Sequence, residues 1–216
     1  MSTVCELHGS YTGYRDCTCE IAMRTKFDKA YYDKFYRDPS TRAVSPSAAK
    51  RQAEFIAAYL AYLEIQVHRF IDVGCGVGNV LRALTRVYPR AEGTGIEYSD
   101  YLCKRYGWTQ GSVTDYKPDK PADLVICNDV LAYLADATCE AAIRNLAGMT
   151  GGALFLGVLT EEDLAVCDRQ RTDNQQVIRP SAWYQRRLNP SFTNVGGGLH
   201  LRTPLNVTVW SLDRLQ

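Results

Sequence analysis

The run Phe70-Ile71-Asp72-Val73-Gly74-Cys75-Gly76-Val77-Gly78-Asn79-Val80-Leu81 constrains this chain more than any other stretch. It joins a short buried strand, a glycine turn and the start of a helix without a break. Phe70 to Val73 is apolar with a β-branched bias, the pattern of a strand covered on both faces. Gly74, Gly76 and Gly78 then alternate with Cys75 and Val77. Glycines so placed let the backbone turn tightly and approach a ligand, while the next helix offers unpaired amides at the same point. A chain built around such a unit belongs to the α/β class, and the turn is a cofactor cradle.

Spacing narrows the cofactor. A dinucleotide fingerprint needs glycine or alanine three residues after its second glycine; that position holds Asn79. Asp72, two residues before Gly74, completes a different pattern: acidic, x, Gly, x, Gly, x, Gly. Downstream, Gly93-Thr94-Gly95-Ile96-Glu97 reads as the next strand, closed by a carboxylate roughly twenty residues past the glycines, where it can accept hydrogen bonds from both ribose hydroxyls. Ser99 to Tyr106 reads as a short helix stopped by Gly107, and Gln110 to Asp115 as a third strand and its exit. Asp123-Leu124-Val125-Ile126-Cys127 is a second buried strand, ending in Asn128-Asp129-Val130, with an apolar helix start beyond it.

This order of motifs resembles the class I S-adenosylmethionine-dependent methyltransferases. The resemblance covers roughly Phe27 to the carboxyl end. It implies a three-layer Rossmann-like sandwich, with a seven-stranded, mostly parallel sheet whose last strand is antiparallel. It also implies that Asp72 organises the loop near the methionine part of S-adenosyl-L-methionine, with Gly74, Cys75, Gly76 and Gly78 under it. Glu97 would take the ribose, Tyr98 would lie against the adenine, and Ser112 and Val113 would flank it. Ser112 departs from the acidic residue often found there. Asn128, Asp129 and Val130 would face the reacting sulfonium. The prolines of the adenine-methylating branch are absent after Asn128, which argues against DNA base methylation.

Composition adds bounds. The 25 basic and 24 acidic residues leave a net charge of +1, with no signal for nucleic acid or an anionic membrane. No apolar run approaches a membrane span, and the first residues lack a signal-peptide layout, so the expectation is a cytoplasmic protein. Nothing in the pattern sets an oligomeric state. Cys75, Cys103, Cys127, Cys139 and Cys167 fall in apparent core elements and read as buried free thiols.

Residues 1–22 form a cysteine-containing extension. Cys5, His8, Cys17 and Cys19 make a full tetrahedral set for a structural zinc, although Cys-x-Cys is less usual than Cys-x-x-Cys. A metal would order a segment with no core of its own; the alternative is an extension without metal. From residue 23 the methyltransferase domain begins with a helical cap. Phe27, Tyr31, Tyr32, Phe35 and Tyr36 recur at helical spacing, either as an ordinary packing face or, as in many members of the family, as a lid over cofactor and substrate. A helix over Ala48 to Leu63, capped by Ser47, carries an apolar stripe of Phe55, Ile56, Tyr59, Leu60 and Leu63.

Thr138 to Met149 reads as a helix ended by Gly151-Gly152, and Ala153 to Leu159 as the fifth strand. An insertion at about 161–190 is polar and arginine-rich; Arg179 is a candidate for an anionic substrate. Phe192 to Leu201, with a bulge at Gly196-Gly197-Gly198, and Val207 to Leu212 read as the two last strands. The expected reaction moves a methyl group to an O, N or S nucleophile of a small-molecule acceptor, with Asp129, Tyr133 and His200 as candidate bases. Two other readings stand beside it: a nicotinamide-dependent oxidoreductase, disfavoured by glycine spacing, and a non-catalytic cofactor-binding module.

Overall fold

The computed structural model describes residues 27–42 and 44–215. Cys5, His8, Cys17 and Cys19 therefore lie outside the described residues. Helix α1 (Lys29–Tyr32) is capped by the Asp28 carboxylate, which accepts from the Tyr31 amide, and runs on into a π-turn at Asp33–Arg37. Helix α2 (Pro46–Tyr62) starts two residues earlier than its pattern indicates. Its cap is Ser45, not Ser47, because Pro46 occupies the first helical position, where a missing N–H costs nothing.

The remaining elements alternate: β1 (Arg69–Val73), α3 (Asn79–Val87), β2 (Glu92–Glu97), α4 (Asp100–Tyr106), β3 (Thr109–Gln110), β4 (Ala122–Asn128), α5 (Asp136–Met149), β5 (Thr150–Gly157), α6 (Ser181–Leu188), β6 (Phe192–Gly196) and β7 (Leu199–Arg202). They form one seven-stranded sheet in the order β3-β2-β1-β4-β5-β7-β6. β1 to β5 pair in parallel, while β7 is antiparallel to both β5 and β6. This is the Rossmann-like methyltransferase sheet expected.

Alternation along the strands builds two cores. Ile71, Val73, Val125, Cys127, Leu154 and Leu156 point to one face, where α5 and α6 contribute Ile143, Leu146, Tyr184 and Leu188. Phe70, Leu124, Ile126, Ala153 and Phe155 point to the other, against Ile56 and Leu60 of α2 and Leu81 and Leu84 of α3. Phe55 turns away from this core, with 45% of its surface exposed, and so leaves the predicted stripe.

Four boundaries differ from expectation. β3 stops at Gln110 because the Ser112 carbonyl accepts from the amides of Asp115 and Tyr116, closing a turn where a longer strand was expected. Gly151 and Gly152 do not end a helix: α5 passes directly into β5 at Thr150, and both glycines lie in the strand. The last two strands both fall within 192–202, because Gly196, Gly197 and Gly198 all take positive φ (85°, 59° and 80°) and reverse the chain there. Residues 207–212 form no strand; Val209 is buried beside the hairpin. After β4, a 3-10 turn at Leu131–Tyr133 stands where a helix start was expected.

Among the described residues no helix is long and apolar enough to cross a membrane. The five cysteines there are free thiols; Cys75, Cys127 and Cys139 are buried, whereas Cys103 and Cys167 are only partly so.

Candidate functional site

Strand order reverses between β1 and β4, and open α/β sheets place ligands in the crevice beyond the strand ends at such a switch point. Here the crevice opens into a cavity of about 760 Å³. Its floor is the glycine loop. The amides of Gly74 and Cys75 both donate to the Ile96 carbonyl, at 2.8 and 3.0 Å, tying the loop to β2. Gly74 has φ of +72°, and a Cβ there would sit 2.3 Å from the Val130 methyl; Gly76, at φ +55°, faces the Tyr36 ring across the space a ligand would use. Trp108 donates from its indole to the Gly76 carbonyl at 3.0 Å and props the loop from outside the cavity.

Glu97 ends β2 and lines this cavity, yet it is 4% exposed. Its carboxylate accepts from the Gly76 amide at 2.7 Å, the Ser99 amide at 2.8 Å and, more loosely, the Tyr32 hydroxyl at 3.4 Å. Burial raises its pKa, opposed by the Ser99, Gly76 and Tyr98 amides. The carboxylate is thus fixed in place, with one long contact that a ligand hydroxyl can replace.

Asp129, just beyond β4, is built differently. Among the described residues it is one of two non-glycine residues with positive φ, at 54°, and its amide donates to the Gly157 carbonyl at 2.8 Å. Left-handed backbone is tolerated by Asp, and here it turns the carboxylate into the crevice. Asp129 is an exposed residue that lines the cavity, and desolvation by the surrounding protein raises its pKa. Above it sits an aromatic roof. Phe27 meets Tyr31 and Tyr133 edge to face, at 5.0 and 5.3 Å between ring centroids, and the Tyr31 and Tyr133 hydroxyls lie 2.9 Å apart. Tyr133 also donates to Asp173 at 3.1 Å, which fastens the roof to the insertion. Burial pushes the Tyr31 hydroxyl up to about 12 and those of Tyr32, Tyr36 and Tyr133 upward as well. None of these phenols is a base near neutral pH.

The cavity brings together Tyr32, Tyr36, Gly74, Gly76, Glu97, Tyr98, Ser112, Val113, Asn128, Asp129, Val130 and Tyr133. A smaller space of about 360 Å³ adjoins it, sharing Tyr36, Gly74, Asn128 and Asp129. Asp72 and Cys75 line this second space, not the first. Burial raises Asp72 to about 7, the charge of Glu97 adds to this, and a hydrogen bond from the Leu81 backbone opposes it. Gly78 lines neither space; it starts α3 in left-handed conformation.

Two candidates lie elsewhere. His200, on β7, packs edge to face on Phe192 away from both spaces, and burial lowers its pKa to about 4. Arg179 is 4% exposed and committed: it donates to Asp136 at 2.9 Å and to the Leu134 carbonyl at 2.6 Å, and stacks on Trp183. It clamps the insertion to α5 and is not free for a substrate anion. Among the described residues no cluster of His, Cys, Asp or Glu is arranged to hold a metal. Phe27 and Tyr31, which the sequence offered only as members of the aromatic run that contains Tyr32 and Tyr36, line the cavity, and so does Thr114, which sequence reading did not assign.

A family model described as a methyltransferase domain matches residues 47–195. The chain belongs to the class I S-adenosylmethionine-dependent methyltransferases. Among curated relatives, the trans-aconitate 2-methyltransferase of Klebsiella pneumoniae (strain 342) is 28% identical over 106 residues, 46% of this chain and 41% of that enzyme. The enzyme of the same name from Azoarcus sp. (strain BH72) is 29% identical over 73 residues, 31% of this chain and 29% of that enzyme. The chain thus matches well under half the length of these relatives. Among solved structures, magnesium protoporphyrin IX methyltransferase from Synechocystis PCC 6803 with bound S-adenosylhomocysteine superposes with a TM-score of 0.61 at 17% identity, over 85% of this chain and 100% of that one. Streptomyces venezuelae DesVI gives 0.61 at 18%, over 82% and 99%. At such identities these two speak for the fold.

Proposed function

We propose that this methyltransferase binds S-adenosyl-L-methionine across the main cavity and transfers its methyl group to an O, N or S nucleophile of a small-molecule acceptor. The observation that carries the reading is Glu97, held at the cavity wall by the Gly76 and Ser99 amides with its long Tyr32 contact exchangeable for ribose hydroxyls. The cavity volume of about 760 Å³ falls within the range of roughly 300–1,000 Å³ usual for small ligands. The fit extends along the wall: Ser112 and Val113 offer a polar and an apolar edge for an adenine, and Gly74 and Gly76 leave the crevice clear of side chains. Relatives named for trans-aconitate support a small acceptor.

When bound, the cofactor supplies an activated methyl group as a sulfonium, so the chain's own work is positioning and exclusion of water. Tyr31, Tyr32, Tyr36 and Phe27 cover the cavity and shield the transfer from solvent. Asp129 faces both spaces and is placed to receive a proton from the acceptor. We assign the insertion at 161–190, joined to the roof through Tyr133 and Asp173, to the acceptor side.

Titration calorimetry with S-adenosylhomocysteine tests this. Glu97→Ala is expected to weaken binding roughly 10- to 150-fold, the loss of about 1.5–3 kcal/mol for a hydrogen bond to a charged group. NAD should show no binding. A folded Glu97→Ala protein with unchanged affinity, or wild type that prefers NAD, would defeat the proposal.

A further inference from the structure

Resting on the cofactor reading above, we infer that the acceptor is an amine, received as an ammonium by the Asp129 carboxylate within the aromatic roof of Phe27, Tyr31, Tyr36 and Tyr133. Two independent observations carry this. The first is the sign of the walls. Glu97, Asp115 and Asp129 line the main cavity, and Asp72, Asp129 and Asp163 line the adjoining one; among the described residues neither is lined by Lys, Arg or His. Three guanidinium groups are committed elsewhere: Arg37 to Asp33, Arg82 to the Val77 carbonyl and Arg179 to Asp136. A carboxylate or phosphate acceptor would enter against like charge with no described cation to receive it.

The second is Asp129 itself. It is an exposed residue that lines both spaces, and its carboxylate has no hydrogen-bond or ion-pair partner among the described residues. Glu97, by contrast, has its partners in place before any ligand arrives. An unpartnered carboxylate in a cavity lined by no cation is the group there that a ligand's positive charge or donors can pair with. Tyr31 and Tyr36 line the main cavity with Asp129, and Tyr36 the adjoining one as well. Aromatic faces next to a carboxylate are a recognised environment for ammonium groups.

The chemistry balances. The ammonium gives one proton to Asp129, exposing the nitrogen lone pair; the N–C bond forms as the C–S bond of the sulfonium breaks. S-adenosylhomocysteine leaves as a neutral thioether, the methylated amine carries the positive charge, and Asp129 returns its proton to water. A raised carboxyl pKa suits that proton transfer.

The test uses the full chain saturated with S-adenosylhomocysteine and two matched probes, tyramine and 3-(4-hydroxyphenyl)propionate, which differ in the charge at one end. Tyramine is expected to bind roughly tenfold or more tightly, with the preference removed by Asp129→Asn. Tighter or equal binding of the carboxylate, no measurable preference, or a preference unchanged in folded Asp129→Asn overturns the inference. The cofactor arm separates the two readings. If wild type fails to bind S-adenosylhomocysteine, the cofactor reading falls. If Asp129→Asn loses S-adenosylhomocysteine affinity but keeps both 5′-methylthioadenosine affinity and the amine preference, Asp129 serves the cofactor's own amino group and the inference falls alone. The wild-type preference is read first, so a variant that fails to fold leaves the test standing.

Discussion

Glu97 and Asp129 end neighbouring parts of one sheet, at the tips of β2 and β4, and face the same cavity, yet they are held in opposite ways. Glu97 is 4% exposed and tied to two backbone amides and a tyrosine. Asp129 stands on left-handed backbone with an open carboxylate under an aromatic roof. A carboxylate whose donors are backbone groups of the adjoining loop is set by the fold, and it suits a ligand that never changes. One whose partner must come from outside suits a ligand the fold does not supply. On the proposed reading the β2 side is the cofactor half of the cavity, and the β4 side the acceptor half.

The largest effect comes from filling the cofactor half. Gly76→Val puts a branched side chain on a residue at φ +55° and aims it at the Tyr36 ring, 3.5 Å from where its Cβ would lie. Calorimetry should show S-adenosylhomocysteine binding weakened by more than about 100-fold, while circular dichroism keeps the wild-type helix content. Retained binding would mean that the glycine loop is not the cradle, and the division into halves would lose its anchor.

The two halves were unequally legible in the sequence. Asp72, the three glycines and Glu97 lie at fixed spacing within one strand–loop–helix–strand run, so local periodicity places them. The acceptor half is assembled from distant pieces: Tyr31 reaches Tyr133 across 102 positions, with Phe27 beside it, and Tyr133 reaches Asp173 across 40, contacts made only in three dimensions. No local pattern reports such contacts. The same limit explains Arg179, whose charge suggests a substrate anion in sequence but whose partner, Asp136, is packed against it by the fold. His200 failed for another reason: a strand residue's chemistry depends on which strand end meets the crevice, and β7 runs antiparallel to its neighbours. The triple glycine satisfied both a bulge and a turn pattern, and only three successive positive φ values distinguish them.

A middle-sized effect separates Asp72 from Glu97. Both are buried, but burial and the neighbouring Glu97 charge raise Asp72 from 3.8 to about 7. Between those values the folded state holds a proton that the unfolded state has lost, so this residue's contribution to stability falls as pH rises through the window. Asp72→Asn removes the buried charge and should raise stability at pH 8 by on the order of 1 kcal/mol, or about 2–4 °C in thermal midpoint. At pH 3.5, where the carboxyl is neutral in the folded state and mostly so in the unfolded one, the gain should nearly vanish. A variant less stable than wild type at pH 8 would show that the Leu81 contact, and not desolvation, governs Asp72.

The smallest effect is the sharpest probe of the comparison, because it asks whether Asp129 has anything to lose in the free protein. Its pKa is raised by enclosure, so the sign matches that of Asp72: stability associated with the protonated carboxyl is present below the ordinary carboxylate range and lost as pH rises through the raised value. Asparagine keeps the shape and tolerates the left-handed backbone at φ 54°. Asp129→Asn should therefore leave the thermal midpoint of the ligand-free chain unchanged or slightly raised at pH 8, and unchanged at pH 3.5. Glu97→Ala should lower it, since the Gly76 and Ser99 amides lose their acceptor in a buried site. If Asp129→Asn destabilises as much as Glu97→Ala, its carboxylate has a partner within the chain, and the acceptor half is as fully satisfied as the cofactor half.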